Sequence, residues 1–143
     1  MERFFKLVIF NYLLSNGDAH LKNFSVHQTE DGDYVLTPAY DLMDSSIHTD
    51  DTDFALENGL SENMEKSDTY ERTGHPCKID FINFGKTIGL SDSRIDKIIE
   101  LFEKDQPLVE DLIESSFLAD KLKRMYLQNY KTRLSRFRRI DKD

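Results

Sequence analysis

The sequence reads Asn16-Gly17-Asp18-Ala19-His20-Leu21-Lys22-Asn23 at the point that decides how the chain folds. Before this polar stretch, residues 3–15 are apolar on nearly every helical face, a pattern typical of a buried helix. After it, residues 24–27 and 34–37 alternate between apolar and polar side chains around a turn signal at 30–33, which predicts a β-hairpin. The polar stretch is therefore predicted to be a loop that joins a buried helix to a hairpin.

Beyond Pro38 the sequence changes character twice. Residues 44–76 are acidic with little apolar periodicity, so we predict a long acidic surface loop there. From residue 79 onward, periodic apolar residues and capping signals predict helices. These cover residues 79–88, a segment from Ser91 through Phe102, a segment from Pro107, and residues 118–138. The predicted fold class is mostly α with a small β-hairpin, built as a helical bundle in one domain of 143 residues.

Composition narrows the classes of function. The net charge is −8, which argues against direct binding of nucleic acid, since such proteins usually carry a basic surplus. Cys77 is the one cysteine, so no intrachain disulfide can form, and a reducing, cytoplasmic setting is expected. We find no leader peptide and no apolar run long enough to cross a membrane.

The charges are unevenly distributed along the chain. Residues 44–76 are acidic, whereas the last predicted helix is basic. Its cations are Lys121, Lys123, Arg124, Lys131, Arg133, Arg136, Arg138 and Arg139. Two interpretations are open, namely a solvated helix face, or a docking surface for an acidic partner or for the acidic loop.

The polar loop and the residue after the hairpin supply groups suited to phosphate chemistry. The spacing between Asp18 and Asn23 is the same as the spacing between the Asp and the Asn of the protein-kinase catalytic loop H-R-D-L-x-x-x-N. In that arrangement the Asp accepts the proton of the attacking hydroxyl, and the Asn reaches a Mg²⁺ on the phosphates. Asp41, just past the hairpin, offers the second hard oxygen ligand that Mg²⁺ requires. We therefore predict Asp18 as the base, and Asn23 and Asp41 as metal ligands.

Two further loop residues have more than one interpretation. His20 could give a hydrogen bond or positive charge near the transferring phosphate, or it could brace the loop through backbone hydrogen bonds. Lys22 could contact phosphate or be an ordinary exposed lysine. The whole set could also be a polar turn in which Asp and Asn serve turn formation. The histidines lack close metal spacing, so we expect no zinc site, and Cys77 is expected to be a buried, inert thiol.

The motif Asn-x-Asp-x-His-x-Lys-Asn-Phe-Ser, followed by Pro-Ala-Tyr-Asp-Leu at 38–42, resembles the C-terminal lobe of HipA-like serine/threonine kinases, the toxins of bacterial toxin–antitoxin modules. The resemblance extends to residues 115–118 and 126–130 near the C-terminus. It implies a kinase-like C-terminal lobe in which Asp18 is the catalytic aspartate, while Asn23 and Asp41 bind Mg²⁺. It also implies an upstream lobe that binds ATP, together with an antitoxin partner.

Two functions follow as hypotheses. The first is the catalytic half of a protein serine/threonine kinase, inactive alone because Mg²⁺ and ATP binding need the N-terminal lobe, either joined to this chain or supplied as a separate chain. The uncapped apolar helix at residues 3–15 supports the expectation that an upstream part is missing. The second is a truncated, non-catalytic module that docks a protein partner. An exposed apolar face on that helix would also allow a homodimer. A small metal- or anion-binding protein is the third and weakest candidate.

Overall fold

The computed structural model describes residues 1–45, 52–56 and 59–140, and within them the chain is mostly helical with one two-stranded antiparallel sheet. The elements in chain order are α1 (Glu2–Leu13), β1 (Val26–Gln28), β2 (Tyr34–Leu36), α2 (Asp68–Thr73), α3 (Lys78–Thr87), α4 (Asp92–Glu103), α5 (Pro107–Ser115) and α6 (Asp120–Phe137). The predicted fold class is confirmed. Among the described residues, we find no helix whose length and apolar character would let it cross a membrane.

Helix α1 is the centre of the bundle, in contact with α4 and α6. Its side chains Phe5, Ile9, Tyr12 and Leu13 are buried, and burial of one large apolar side chain contributes about 1.5–3 kcal/mol. The core is completed by residues of the later helices: Phe81, Phe84, Ile95, Ile98, Ile99, Tyr130, Leu134 and Phe137. Helix α1 ends at Leu13 rather than at the predicted residue 15, because Ser15 adopts a positive φ of 59° that no helix continues.

The hairpin is exposed and short. Val26 pairs with Leu36, His27 with Val35 and Gln28 with Tyr34. The first strand begins two residues later than predicted, because Phe24 packs edge-on against Phe4 of α1 with ring centroids 5.1 Å apart. The Arg3 guanidinium also donates to the Leu36 carbonyl oxygen at 3.1 Å. Both ends of the hairpin are thus attached to the first turn of α1.

The prediction of a loop throughout residues 44–76 is wrong for residues 68–73, which form α2. The Ser67 hydroxyl caps this helix by accepting from the Tyr70 amide at 3.1 Å, and Tyr70 itself is buried. The helix was missed because six residues are too few to show a helical period among so many acidic side chains. Parts of the predicted acidic loop, including Asp50, Asp51 and Glu57, lie outside the described residues.

A buried carboxylate joins α2 to α3. Asp80 is fully buried, and it accepts hydrogen bonds from the Ser67 amide, the Ser67 hydroxyl and the Cys77 amide, each at 2.8 Å. These three hydrogen bonds offset the free-energy cost of burying the Asp80 carboxylate. Cys77 is also fully buried, and burial raises the pKa of its thiol, which agrees with the predicted inert cysteine.

The basic helix α6 binds part of the acidic segment inside the protein. Arg133 lies 3.2 Å from the Asp53 carboxylate, and both side chains are only 8% exposed. The Arg133 guanidinium also donates to the Tyr12 carbonyl oxygen at 3.2 Å and lies over the Tyr12 ring. His75 Nδ1 contacts the other Asp53 oxygen at 2.8 Å. At this point the basic helix is a docking surface for the acidic segment rather than a solvated face.

We predict that Arg133→Met lowers the free energy of unfolding by roughly 3 kcal/mol, because it leaves the Asp53 carboxylate buried without its guanidinium. The matched control is Lys131→Met on the same helix, which removes an exposed ion pair with Glu110 and should cost less than about 1 kcal/mol. Urea unfolding followed by circular dichroism measures both. Equal losses for the two variants would contradict the role given to Arg133.

Candidate active site

The loop between α1 and β1 is shaped by one buried asparagine. The Asn16 side-chain amide nitrogen donates to Asn11 Oδ1 and to the Asp41 carbonyl oxygen, each at 3.0 Å. The Asn16 backbone amide also donates to the Asn11 carbonyl oxygen at 2.9 Å. The two asparagines are buried, so these bonds are shielded from water. Asn16 thereby ties the start of the loop to the segment after the hairpin.

Ser45 makes a second connection between the same two segments. Its hydroxyl accepts from the Gly17 amide at 2.9 Å, and its backbone amide donates to the Ser15 carbonyl oxygen at 3.2 Å. Sequence reasoning missed Ser45 and Asn11. Asn11 carried a readable signal, since it is an amide inside an otherwise apolar helix, whereas nothing in the sequence marked Ser45.

Asn23 and Asp41, the two predicted metal ligands, are in direct contact. Asn23 Nδ2 donates to Asp41 Oδ2 at 2.5 Å. Asn23 ends a single 3₁₀ turn, Leu21–Asn23, and the residue is only 8% exposed. Asp41 is exposed and adopts a positive φ of 54°, a conformation that Asp tolerates better than most residues. The fold therefore brings together two residues that are 18 positions apart.

The oxygens of this pair fit a magnesium ion. Asn23 Oδ1 is buried and has no hydrogen-bond partner within the described residues, an uncommon state for a buried amide oxygen. The nitrogen of the same amide group, Asn23 Nδ2, is hydrogen-bonded to the Asp41 carboxylate, so the amide and the carboxylate are neighbours. An amide oxygen beside a carboxylate is a set of hard donors, which Mg²⁺ prefers. Asn23 and Asp41 are thus the residues that could hold such an ion.

Tyr40 connects the loop to the hairpin from the outside. Its hydroxyl donates to the Lys22 carbonyl oxygen at 2.8 Å and lies 2.6 Å from the Ser25 hydroxyl. Because the tyrosine proton is used on Lys22, the Ser25 hydroxyl supplies the proton of the second bond. Tyr40 therefore fixes the backbone on both sides of Asn23.

The remaining predicted residues lie in the same loop. Asp18 is exposed, and its carboxylate makes no hydrogen bond or ion pair within the described part of the chain. The His20 amide donates to the Asp18 carbonyl oxygen at 2.7 Å, and the His20 carbonyl oxygen accepts from the Asn23 amide at 2.9 Å. The backbone of His20 thus braces the loop. The Lys22 side chain is exposed, and the structure does not bring it to the Asn23–Asp41 pair.

The ring of His20 has an unusual environment. The residue is half-buried, and its Nδ1 atom is shielded from solvent without a hydrogen-bond partner among the described residues. A buried ring nitrogen without a hydrogen-bond partner costs free energy. The position of the ring is therefore set by the hydrogen bonds of the His20 backbone and not by a bond to Nδ1. Its side chain remains available for a group that enters the site.

The chain is similar to known proteins. The family model described as the HipA-like C-terminal domain matches residues 1–107. A protein of Haemophilus influenzae named "Putative kinase" is 30% identical over 140 residues. The match covers 92% of this chain and 40% of that protein, so the chain spans less than half the length of this curated relative. The matched region contains the loop, the hairpin and Asp41, and on this basis the chain belongs to the family of HipA-like C-terminal domains.

Proposed function

We propose that this chain is the catalytic-loop and magnesium-binding part of a HipA-like serine/threonine protein kinase, which transfers the γ-phosphoryl group of ATP to a protein hydroxyl. The observation that carries the proposal is the contact between Asn23 and Asp41 at 2.5 Å, together with the buried Asn23 Oδ1, which has no hydrogen-bond partner among the residues that the structure describes. The proposal is also supported by the family match and by the similarity to a protein named "Putative kinase".

Asn23 and Asp41 hold the metal in this proposal. When bound, Mg²⁺ would neutralise charge on the phosphate oxygens of ATP. The protein's contribution is to keep the two ligands in place before the ion arrives. Asn16, Ser45 and Tyr40 do this through hydrogen bonds to the backbone around the ligands. Such preorganisation means that little reordering is needed when phosphate binds.

Asp18 is the base. Its carboxylate is exposed and not engaged by described residues, so a substrate hydroxyl can approach it and pass its proton to it. The backbone bond from the His20 amide to the Asp18 carbonyl oxygen keeps the residue in the loop. The other nitrogen of the His20 ring, Nε2, would give a hydrogen bond to an incoming phosphate oxygen or to the substrate. Lys22 is exposed and would contact phosphate only at the edge of the site.

ATP and the other partners belong to a larger assembly in this proposal. The chain spans 40% of the Haemophilus influenzae relative, so the walls that hold the nucleotide would come from an N-terminal lobe, in the same polypeptide or in a separate one. The protein substrate and an antitoxin would bind to that complete enzyme in the cytoplasm. The chain alone is then inactive.

A second candidate function is a non-catalytic docking module. The open apolar groove between α1, α4 and α5 favours it, because monomeric domains rarely leave such a surface uncovered. The two functions differ in whether the chain supports phosphoryl transfer once it is joined to an N-terminal lobe.

We predict that Asp18→Asn lowers phosphoryl transfer by about 10²–10⁴-fold in an enzyme that contains residues 1–143 together with its N-terminal lobe, because the amide cannot accept the hydroxyl proton. The matched control is Asp31→Asn in the exposed hairpin turn, which should keep full activity. Transfer from radiolabelled ATP to protein measures both. Wild-type activity in the Asp18 variant, with an unchanged melting temperature, would show that the base is another residue.

The isolated chain should bind Mg·ATP with a Kd weaker than about 1 mM, because two metal ligands and one base provide little free energy of binding. Isothermal titration calorimetry on residues 1–143 measures this, with Asp41→Asn as the comparison. Micromolar binding that Asp41→Asn abolishes would contradict both the docking-module function and the need for an N-terminal lobe. If binding is weak, the kinase proposal is tested by the Asp18→Asn experiment.

A further inference from the structure

An open groove of about 550 Å³ lies at the edge of the hydrophobic core, and Leu13 and Tyr130 of the core line part of it. Its floor is the C-terminal half of α1, and its walls are the end of α4, most of α5 and part of α6. The lining is almost entirely apolar and includes Phe10, Leu13, Phe102, Ile113 and Tyr130. An apolar segment of another element could fill it, because apolar side chains line it from several helices.

The exposure of side chains on helix α5 shows that none of the described residues covers this part of the groove. Leu108 is 64% exposed and Leu112 is 60% exposed, and Leu101 at the end of α4 is 48% exposed. These side chains are adjacent to the groove and turn apolar surface to water. Burying one large aliphatic side chain contributes about 1.5–3 kcal/mol, so a partner that covers all three gains substantially.

One edge of the groove is basic, in a chain whose net charge is −8. A smaller depression lined by Lys6, Arg94 and Lys97 shares Leu101 with the groove. Arg94 pairs with Glu2 at 3.2 Å. Lys6 and Lys97 form no ion pair with the described residues. Cations therefore flank the exposed leucines on the α1–α4 side.

We propose that this groove docks an amphipathic helix of another polypeptide, whose apolar face fills the groove and whose flank carries acidic residues that face Lys6 and Lys97. A helix that lies in a groove between helices inserts apolar side chains at positions i, i+3, i+4 and i+7. The basic edge selects an acidic flank by charge complementarity. A second copy of this chain is the competing occupant, and the test below distinguishes it by the oligomeric state. The inference does not depend on the kinase activity.

The test uses the full chain and two synthetic peptides of roughly 18 residues, a length that allows a helix of several turns. Both carry leucines at i, i+3, i+4 and i+7; one has glutamates on the flank, and the other has lysines. Fluorescence anisotropy at low salt should show the glutamate peptide binding about tenfold more tightly, and the difference should shrink as salt screens the charges.

Variants of exposed residues locate the binding site. Leu112→Glu should weaken binding of the glutamate peptide about tenfold, since it places a carboxylate in the apolar wall. Lys6→Glu combined with Lys97→Glu should reverse the preference between the peptides. The matched controls are Val26→Glu on the hairpin and Lys121→Glu at the start of α6, which should leave binding unchanged. Circular dichroism melting confirms that each variant is folded.

Three results would overturn the proposal. The first is no binding of either peptide, and the second is equal affinity for the two peptides. The third is a dimer of the wild-type chain in light scattering that Leu112→Glu dissociates, which would make a second copy the occupant. None of these results bears on the Asp18 experiment.

Discussion

The amide group of Asn16 is the interaction on which the site depends. It connects α1, through Asn11, to the Asp41 carbonyl oxygen, and so it fixes two segments that are 25 residues apart. A buried amide that donates to two oxygens holds its geometry tightly, because the loss of either bond would leave a buried acceptor without a donor. The bonds made by Ser45 and Tyr40 add to this fixed frame rather than creating it.

Helix α1 gives that frame its rigidity. Its N-terminal turn holds the hairpin through Phe4 and Arg3, and its middle is the centre of the core. Its C-terminal turn leads directly into the loop. The side chain of Arg133 binds the Tyr12 carbonyl oxygen in that last turn, so the end of α1 is held from outside as well. Helix α1 therefore supports both the core and the candidate site.

The sequence predicted most of the elements and a pair of residues that the fold brings together in the candidate site. Helical periodicity located α1, α3, α4, α5 and α6 to within about two residues, because those helices bury one face and obey a 3.6-residue period. The spacing of Asp18, Asn23 and Asp41 identified a pair that the fold brings into contact. Local patterns suffice for features that neighbouring residues determine.

Contacts between distant residues could not be predicted in this way. The bond from Gly17 to Ser45 joins residues 28 positions apart, and the pair of Arg133 with Asp53 joins residues 80 apart. Neither serine nor aspartate signals such a partner in its own surroundings. In the sequence, Asp53 is one of many acidic residues. Only the folded structure shows that it is the one buried beside Arg133.

The positive φ of Asp41 restricts which amino acids can replace it. At a φ of 54°, glycine and asparagine are the replacements that the backbone accepts readily, whereas most other side chains cost roughly 1–2 kcal/mol. Glycine has no ligand atom, and asparagine has no charge. Glutamate would keep the carboxylate, but it would bear the conformational cost and place its oxygens one methylene further away. If Asp41 binds the metal as proposed, aspartate alone satisfies the backbone conformation and the ligand chemistry together.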